Sequence, residues 1–384
     1  MKRRITAAFM GALLTAPCIT ACSDNNSKNY DTEADTENTS EVQEITTAEE
    51  TAETTTEKVT TTEKSDKKND QKEDIFSGID VETEVSRQNR QQVVFVMDDG
   101  SYIYPAFKNG SDGPVTTYVV SSKKGEPKEL KLPENSIVYY SDGKKLYYYA
   151  PDEGLCEYND GKTSALNKAT KTENGSVPLR ESYLFTDDMI YFAQSDDEGT
   201  EIKSMDYSGK LSDESYSIDK KNATIIGIAE MDGDNCMLCS YSYGTSEMIA
   251  AIGSDGSIDE VISGTNAYIS EDNIYYIRLA QLYCKPLVGG NEVKVTEERC
   301  ADYCFIGDKM YLSYATDVYS LDKDGKAKKI FSVDKLTKCA CISRISSVGD
   351  KLFVNGVEGA FWSCIAEIDE NGKLIKEYQN GIER

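Results

Sequence analysis

The chain has 384 residues, 39% of them hydrophobic, enough for one large β domain or two ordinary domains with a real core. Lys and Arg total 42 against 67 Asp and Glu, a formal charge of −25 that repels phosphate backbones and anionic head groups, so no nucleic-acid partner is expected. Histidine is absent, which removes Ser-His and Cys-His triads, the two-histidine iron site and His-containing zinc sites.

The N-terminus reads MKRRITAAFMGALLTAPCITACSDNN. Lys2, Arg3 and Arg4 precede an apolar run from Ile5 to Ala16, too short to span a bilayer, which is the pattern of a secretion signal. Ile19-Thr20-Ala21-Cys22 resembles the lipobox of bacterial lipoproteins, in which small residues fit the signal-peptidase groove and the cysteine sulfur is lipidated. That resemblance implies a signal peptide over 1–21, lipidation at Cys22 and anchoring at the extracellular face of the bacterial cell membrane. The competing reading is an ordinary signal peptide with a coincidental cysteine; Cys18, after Pro17, is a poorer acceptor. Acyl chains supply about 0.8 kcal/mol per buried methylene, so more than one chain anchors firmly.

Residues 22–75 are rich in Thr, Glu, Asp, Asn and Lys, as in TAEETAETTTEKVTTTEKSDKKNDQKED. So few apolar residues do not offset ordering entropy, and a disordered acidic tether is expected, with Thr-rich patches suited to O-linked sugars. From 76 to 384 the texture changes to short alternating runs of Tyr, Ile, Val and Phe between turn residues, with no long 3.6-residue apolar stripe. Stacking VYYSDGKKLYYYAPDEGLCEYNDGK, YLFTDDMIYFAQSDDEGTEIKSMDYSGK and CFIGDKMYLSYATDVYSLDKDGK shows one repeating order: strand, tight turn, Tyr-rich strand, variable loop, third strand, turn ending in Gly.

The units start near Gln92, Ser136, Glu181, Ala223, Thr265, Ala301 and Ile342, a period of about 40 residues. Units of this size with four short strands predict an all-β fold, a β-propeller of about seven four-stranded blades after the disordered N-terminal tether; two stacked sandwiches are the competing architecture. Val93 to Met97 (VVFVM) is expected to close the ring by joining the last blade, and the protein is expected to be a monomer.

Ile274-Tyr275-Tyr276, Met310-Tyr311, Leu146-Tyr147-Tyr148 and the D-x-D-G or N-D-G turns make the region from Gln92 onward similar to lipoprotein-borne repeats labelled domain-of-unknown-function 5050. The resemblance implies an extracellular, propeller-like domain and transfers no catalytic residue.

Cys236-x-x-Cys239 invites a zinc or redox reading, but DNCMLC occupies the slot of DNIYYI in the next unit, and an i, i+3 pair on a strand points to opposite faces. A structural apolar role is expected. Cys300, Cys304, Cys339 and Cys341 lie near the starts of two successive units, open to a disulfide, buried thiols or, less readily, a four-thiolate site. Tyr139/Tyr140, Tyr147/Tyr148/Tyr149 and Tyr275/Tyr276 read as blade packing rather than sugar-stacking platforms.

Asp187, Asp188, Glu271, Asp272 and Asp308 fall on first turns and read as turn residues. Three segments fall in connections between second and third strands, on the face that propellers use for binding: Asp196, Asp197 and Glu198 in QSDDEGT, Asp112 in KNGSDGPV, and Arg278. They are the candidate binding residues, weighed against a plain solvated charged loop. No catalytic residue, metal or cofactor is assigned.

SLDKDGK at Ser320 to Lys326 looks like the opening of a calcium loop, yet an EF-hand would need a glutamate where Val333 stands. It shares its phase with Asn159-Asp160-Gly161-Lys162, Asp206-Tyr207-Ser208-Gly209-Lys210 and Asp369-Glu370-Asn371-Gly372-Lys373, and is read as the hairpin between third and fourth strands. The expected function is a surface-anchored, non-catalytic propeller that takes a glycan or protein ligand on its loop face. The alternative is an extracellular carbohydrate-active hydrolase or lyase using paired carboxylates.

Overall fold

The computed structural model describes residues 94–379 apart from 111–112, 122–127, 152, 168–181, 197, 244–245, 254–255, 271, 337–338 and 359–361. The signal peptide, Cys22, the tether, Asp112 and Asp197 therefore lie outside the described residues.

Seven antiparallel sheets follow one another along the chain, each of four consecutive strands in sequence order. They begin at Phe95, Ile137, Ser182, Thr224, Thr265, Asp302 and Cys341, within three residues of the starts read from the repeat. The sheets are the blades of a seven-bladed β-propeller, and its core is divided among the seven junctions between neighbouring blades.

This division explains why strands are apolar on both sides. In Leu146–Ala150, the second strand of blade two, every residue is buried. Leu146, Tyr148 and Ala150 pack against blade one, whereas Tyr147 and Tyr149 pack against blade three. Period-two alternation thus sorts residues between two cores, not between core and water. Cys236 and Cys239 obey the same rule: the first lies in the core shared with blade five, the second in the core shared with blade three. Burial pushes both thiols up, Cys236 to about 11.

First strands line the centre and fourth strands the rim. Hydrogen bonds join first strand to first strand across junctions: Ile225 N–H donates to Ser182 Oγ at 3.0 Å, and Ile345 N–H to Asp302 Oδ2 at 2.8 Å. The fourth strands are the most exposed, as in Lys162–Asn167. Connections between first and second and between third and fourth strands consequently share one face. Those between second and third strands, and between blades, share the other, called the loop face here.

The Asp-x-x-Gly-Lys repeat is the hairpin between third and fourth strands. Asp322 Oδ1 accepts from the N–H groups of Asp324 and Lys326, Asp369 Oδ1 from Asn371 and Lys373, and Asp206 Oδ1 from Ser208 and Lys210. The carboxylate therefore satisfies turn amides. The glycines have positive φ, +74° at Gly325 and +81° at Gly372.

One expectation needs correction, and two further points are resolved. Phe95–Val96 pairs with Tyr102–Gly110 inside blade one, so Val93 to Met97 does not close the ring as a strand of the last blade. The last blade is complete without it, and Val94 instead packs side-on against Phe353 and Ile365. KNGSDGPV does span the connection between the second and third strands of blade one, and that connection is short, Tyr102–Gly110 pairing with Gly113–Ser121 out to Gly110 and Gly113. Of the four cysteines left open, Cys300, Cys304 and Cys341 are buried thiols, and Cys339 forms a disulfide with Cys364 in the third strand of blade seven. Cys364 stands far away in sequence but beside Cys339 in the blade, because its strand pairs next to Gly356.

Candidate binding face

Asp196 and Glu198 lie in the connection between the second and third strands of blade three, Met189–Ser195 and Thr200–Asp206. The segment is a tight hairpin. Asp196 Oδ1 accepts from Glu198 N–H at 2.7 Å and Gly199 N–H at 3.0 Å, while Asp196 N–H donates to Gly199 O. These amides, first Glu198 and then Gly199, hold the Asp196 carboxyl below its ordinary value against a smaller desolvation. Next to it, Thr200 Oγ1 donates to Lys220 O at 2.6 Å and accepts from Ala223 N–H at 3.1 Å, tying the hairpin to the connection into blade four. Asp196 thus commits Oδ1 to the backbone, and both Asp196 and Glu198 are exposed.

Arg278 ends the second strand of blade five, Asn273–Arg278. Its guanidinium pairs with Glu292, which also accepts from Tyr276 Oη, and stacks 4.5 Å from the centroid of the Tyr283 ring. Blade four stands between Arg278 and the blade-three hairpin, so Arg278 does not converge with Asp196 and Glu198.

What the loop face does assemble lies at blades four and five. Tyr243, at the end of Asp234–Tyr243, is 66% exposed and Leu279 is 92% exposed. Between their hairpins is an open depression of about 220 Å³ lined by Ser246, Glu247, Ser263 to Thr265, and Ile277 to Ala280. Arg278 forms part of its wall, and Arg299 lies one strand over, Arg278 pairing with Gln281 and Gln281 with Arg299. The Arg299 guanidinium sits 4.5 Å from the Tyr314 ring of blade six. An apolar tip and Arg278 at a depression with hydroxyl and carboxylate walls form a surface able to hydrogen-bond and pair charge.

Of these residues only Arg278 was among the sequence candidates. Tyr243 was hidden among strand tyrosines. Leu279 carried one local signal: Leu279-Ala280 fills a two-residue hairpin slot with both φ positive, at +51° and +55°, where Asn or Gly is usual. Among the described residues, no group of three or more His, Cys, Asp or Glu side chains is placed to hold a metal ion.

Comparison with family models and with curated proteins finds no match. Solved structures do match. A puromycin-hydrolysing peptidase of Mycobacterium tuberculosis superposes with a TM-score of 0.54 at 14% identity, over 77% of this chain and 53% of that one. A puromycin hydrolase S511A mutant complexed with PGG gives 0.51 at 13%, over 79% and 55%. TolB from Acinetobacter baumannii gives 0.41 at 15%, over 73% and 80%. At this identity the likeness establishes the propeller fold, and this chain spans about half the length of the two hydrolases.

Proposed function

We propose that the protein is a surface-anchored extracellular lipoprotein whose propeller binds a glycan or protein ligand on its loop face, without catalysis. The observation that carries this reading is the exposed Leu279 at the depression between blades four and five, with Arg278 in its wall. Exposed aromatic and apolar side chains cost solvation in the free protein and become favourable once a ligand covers them. The lipobox-like Ile19-Thr20-Ala21-Cys22 and the acidic tether behind it support display away from a membrane.

An array of glycans and cell-wall fragments probed with the full chain tests the ligand. Binding is expected to fall about tenfold with Leu279→Ser, a loss of about 1.4 kcal/mol. Retained binding in that variant removes this depression as the site. For the anchor, Cys22→Ser is expected to abolish metabolic labelling by a palmitate analogue and to release the protein from the membrane fraction. Labelling that survives the substitution places the lipid elsewhere.

A further inference from the structure

Tyr243 stands on the side of blade four away from the depression. Met237, Cys239 and Tyr241 of its strand lie in the core shared with blade three, and alternation puts Tyr243 on that same side, about 6.8 Å beyond Tyr241 toward the loop face. Glu247, which lines the depression, pairs with Ser242 and so points the other way. At Tyr243 the core has ended, and 66% of the residue is exposed.

The element nearest to it is the connection from blade three into blade four, Asp219 to Asn222, and two hydroxyls of blade three fix that connection. Thr200 Oγ1 donates to Lys220 O at 2.6 Å, Asn222 N–H donates to Ser195 Oγ at 3.1 Å, and the hydroxyls themselves are 2.7 Å apart. Lys220 holds its ammonium 5.5 Å from the centroid of the Tyr241 ring, one strand step below Tyr243, and pairs with Asp219 at 3.8 Å. Glu198, Asp219, Lys221 and Asn222 are exposed in the hairpin and the connection.

These groups select a ligand chemistry. A stable protein interface buries roughly 1,000 Å² or more around an apolar centre. Among the described residues, the exposed large apolar side chains Leu211, Tyr243, Leu279, Val288, Val293 and Ile375 are instead scattered over four blades. An anion meets no single-sign field here, because Lys220 and Lys221 stand among Asp196, Glu198 and Asp219. A lone exposed ring bordered by ammonium, amide and carboxylate groups suits a pyranose, whose C–H face packs on an aromatic ring and whose hydroxyls both donate and accept.

We infer that Tyr243 and the connection Asp219 to Asn222 form a sugar subsite at the junction of blades three and four, the ring taking the C–H face of a neutral pyranose and Lys220, Asp219 and Glu198 its hydroxyls. Lys220 donates to a hydroxyl oxygen, and the two carboxylates accept from hydroxyl groups. The anchored connection and the Lys220 ammonium, held between Tyr241 and Asp219, lose little freedom when the ligand arrives. The subsite rests on the reading that the loop face binds a ligand and takes its glycan branch, at a place separated from the depression by the strands of blade four.

Isothermal titration of the full chain with cellotetraose, mannotetraose, the N-acetylglucosamine tetramer and tetragalacturonate tests it. Saturable one-site binding of at least one neutral tetrasaccharide is expected. Tyr243→Ala is expected to weaken it at least tenfold with an unchanged thermal melt, since that ring is exposed, and Tyr243→Phe, which keeps the ring, to stay within threefold. Leu279→Ser is expected to leave this binding unchanged. No binding of any neutral tetrasaccharide, tighter binding of tetragalacturonate, or indifference to Tyr243→Ala would each overturn the inference. Loss of binding with Leu279→Ser alone would overturn it too, by placing the sugar in the depression, and would leave the proposed function standing.

Discussion

Gly372→Ala is expected to destabilise the propeller by about 2–5 kcal/mol, and Gly161→Ala by only about 1–2 kcal/mol, although both glycines end the turn between third and fourth strands with nearly the same φ. The φ values are +81° and +79°, so the cost of a left-handed alanine is shared. The difference lies beyond the hairpin. A Cβ on Gly372 would stand 2.1 Å from the carbonyl oxygen of Ile330 in the fourth strand of blade six, whereas on Gly161 nothing lies within 4 Å. Gly325 and Gly209 meet the preceding blades in the same way, at Val295 O and Leu166 O. The hairpin glycine is therefore also a contact between blades, and alanine there must push blade seven off blade six. Urea unfolding of the two variants side by side checks this. Equal losses would show that the backbone conformation alone sets the requirement.

That double duty bears on what was legible in the sequence. The Asp-x-x-Gly-Lys hairpins could be read because their physics is local: a carboxylate facing its own turn amides and a glycine at positive φ leave the same trace in blades three, six and seven. Given that phase, the blade starts followed. The strands that pack both ways were legible for a related reason, since LYYYA has no polar position to assign to water. Contacts between blades leave no such trace. VVFVM is apolar whether it closes the ring as a strand or packs side-on through Val94, and Cys364 reveals nothing of Cys339 until blade seven is folded. Asp196 shows a subtler limit. A run such as SDDEG reads identically whether its carboxylates await a ligand or cap the backbone, and here the first of them caps. Leu279 failed to stand out because the mismatch is between residue and turn type, which becomes visible only once Arg278 and Gln281 are known to pair.

The seam between blades seven and one is the second place where a single substitution should have a large effect. Ring closure there depends on packing, since no strand of one blade enters the other among the described residues. Among the described residues, the seam core contains five buried residues, Val94, Tyr104, Phe353, Ile365 and Tyr378, against fourteen at the junction of blades three and four. Phe353 is fully buried and meets Tyr102 edge-on at 5.2 Å. Beside it, Tyr378 Oη donates to Glu367 Oε2 at 3.0 Å, and Lys351 pairs with the same carboxylate, which is only 3% exposed. Burial also pushes the Tyr104 hydroxyl up to about 12.

Phe353→Ala would remove the ring that shields this charged pair while leaving few neighbours able to collapse into the space. A loss of about 3–5 kcal/mol is expected. Because the seam is the point where the chain's two ends of the ring meet, the loss should appear first as local opening. Amide exchange in Lys351–Glu358 and Tyr102–Gly110 should accelerate before that of the central blades. Phe353→Leu, which keeps most of the apolar volume, should recover much of the stability. Uniform acceleration across all seven blades would instead mean that the ring unfolds as one unit and that its seam is no weaker than the other junctions.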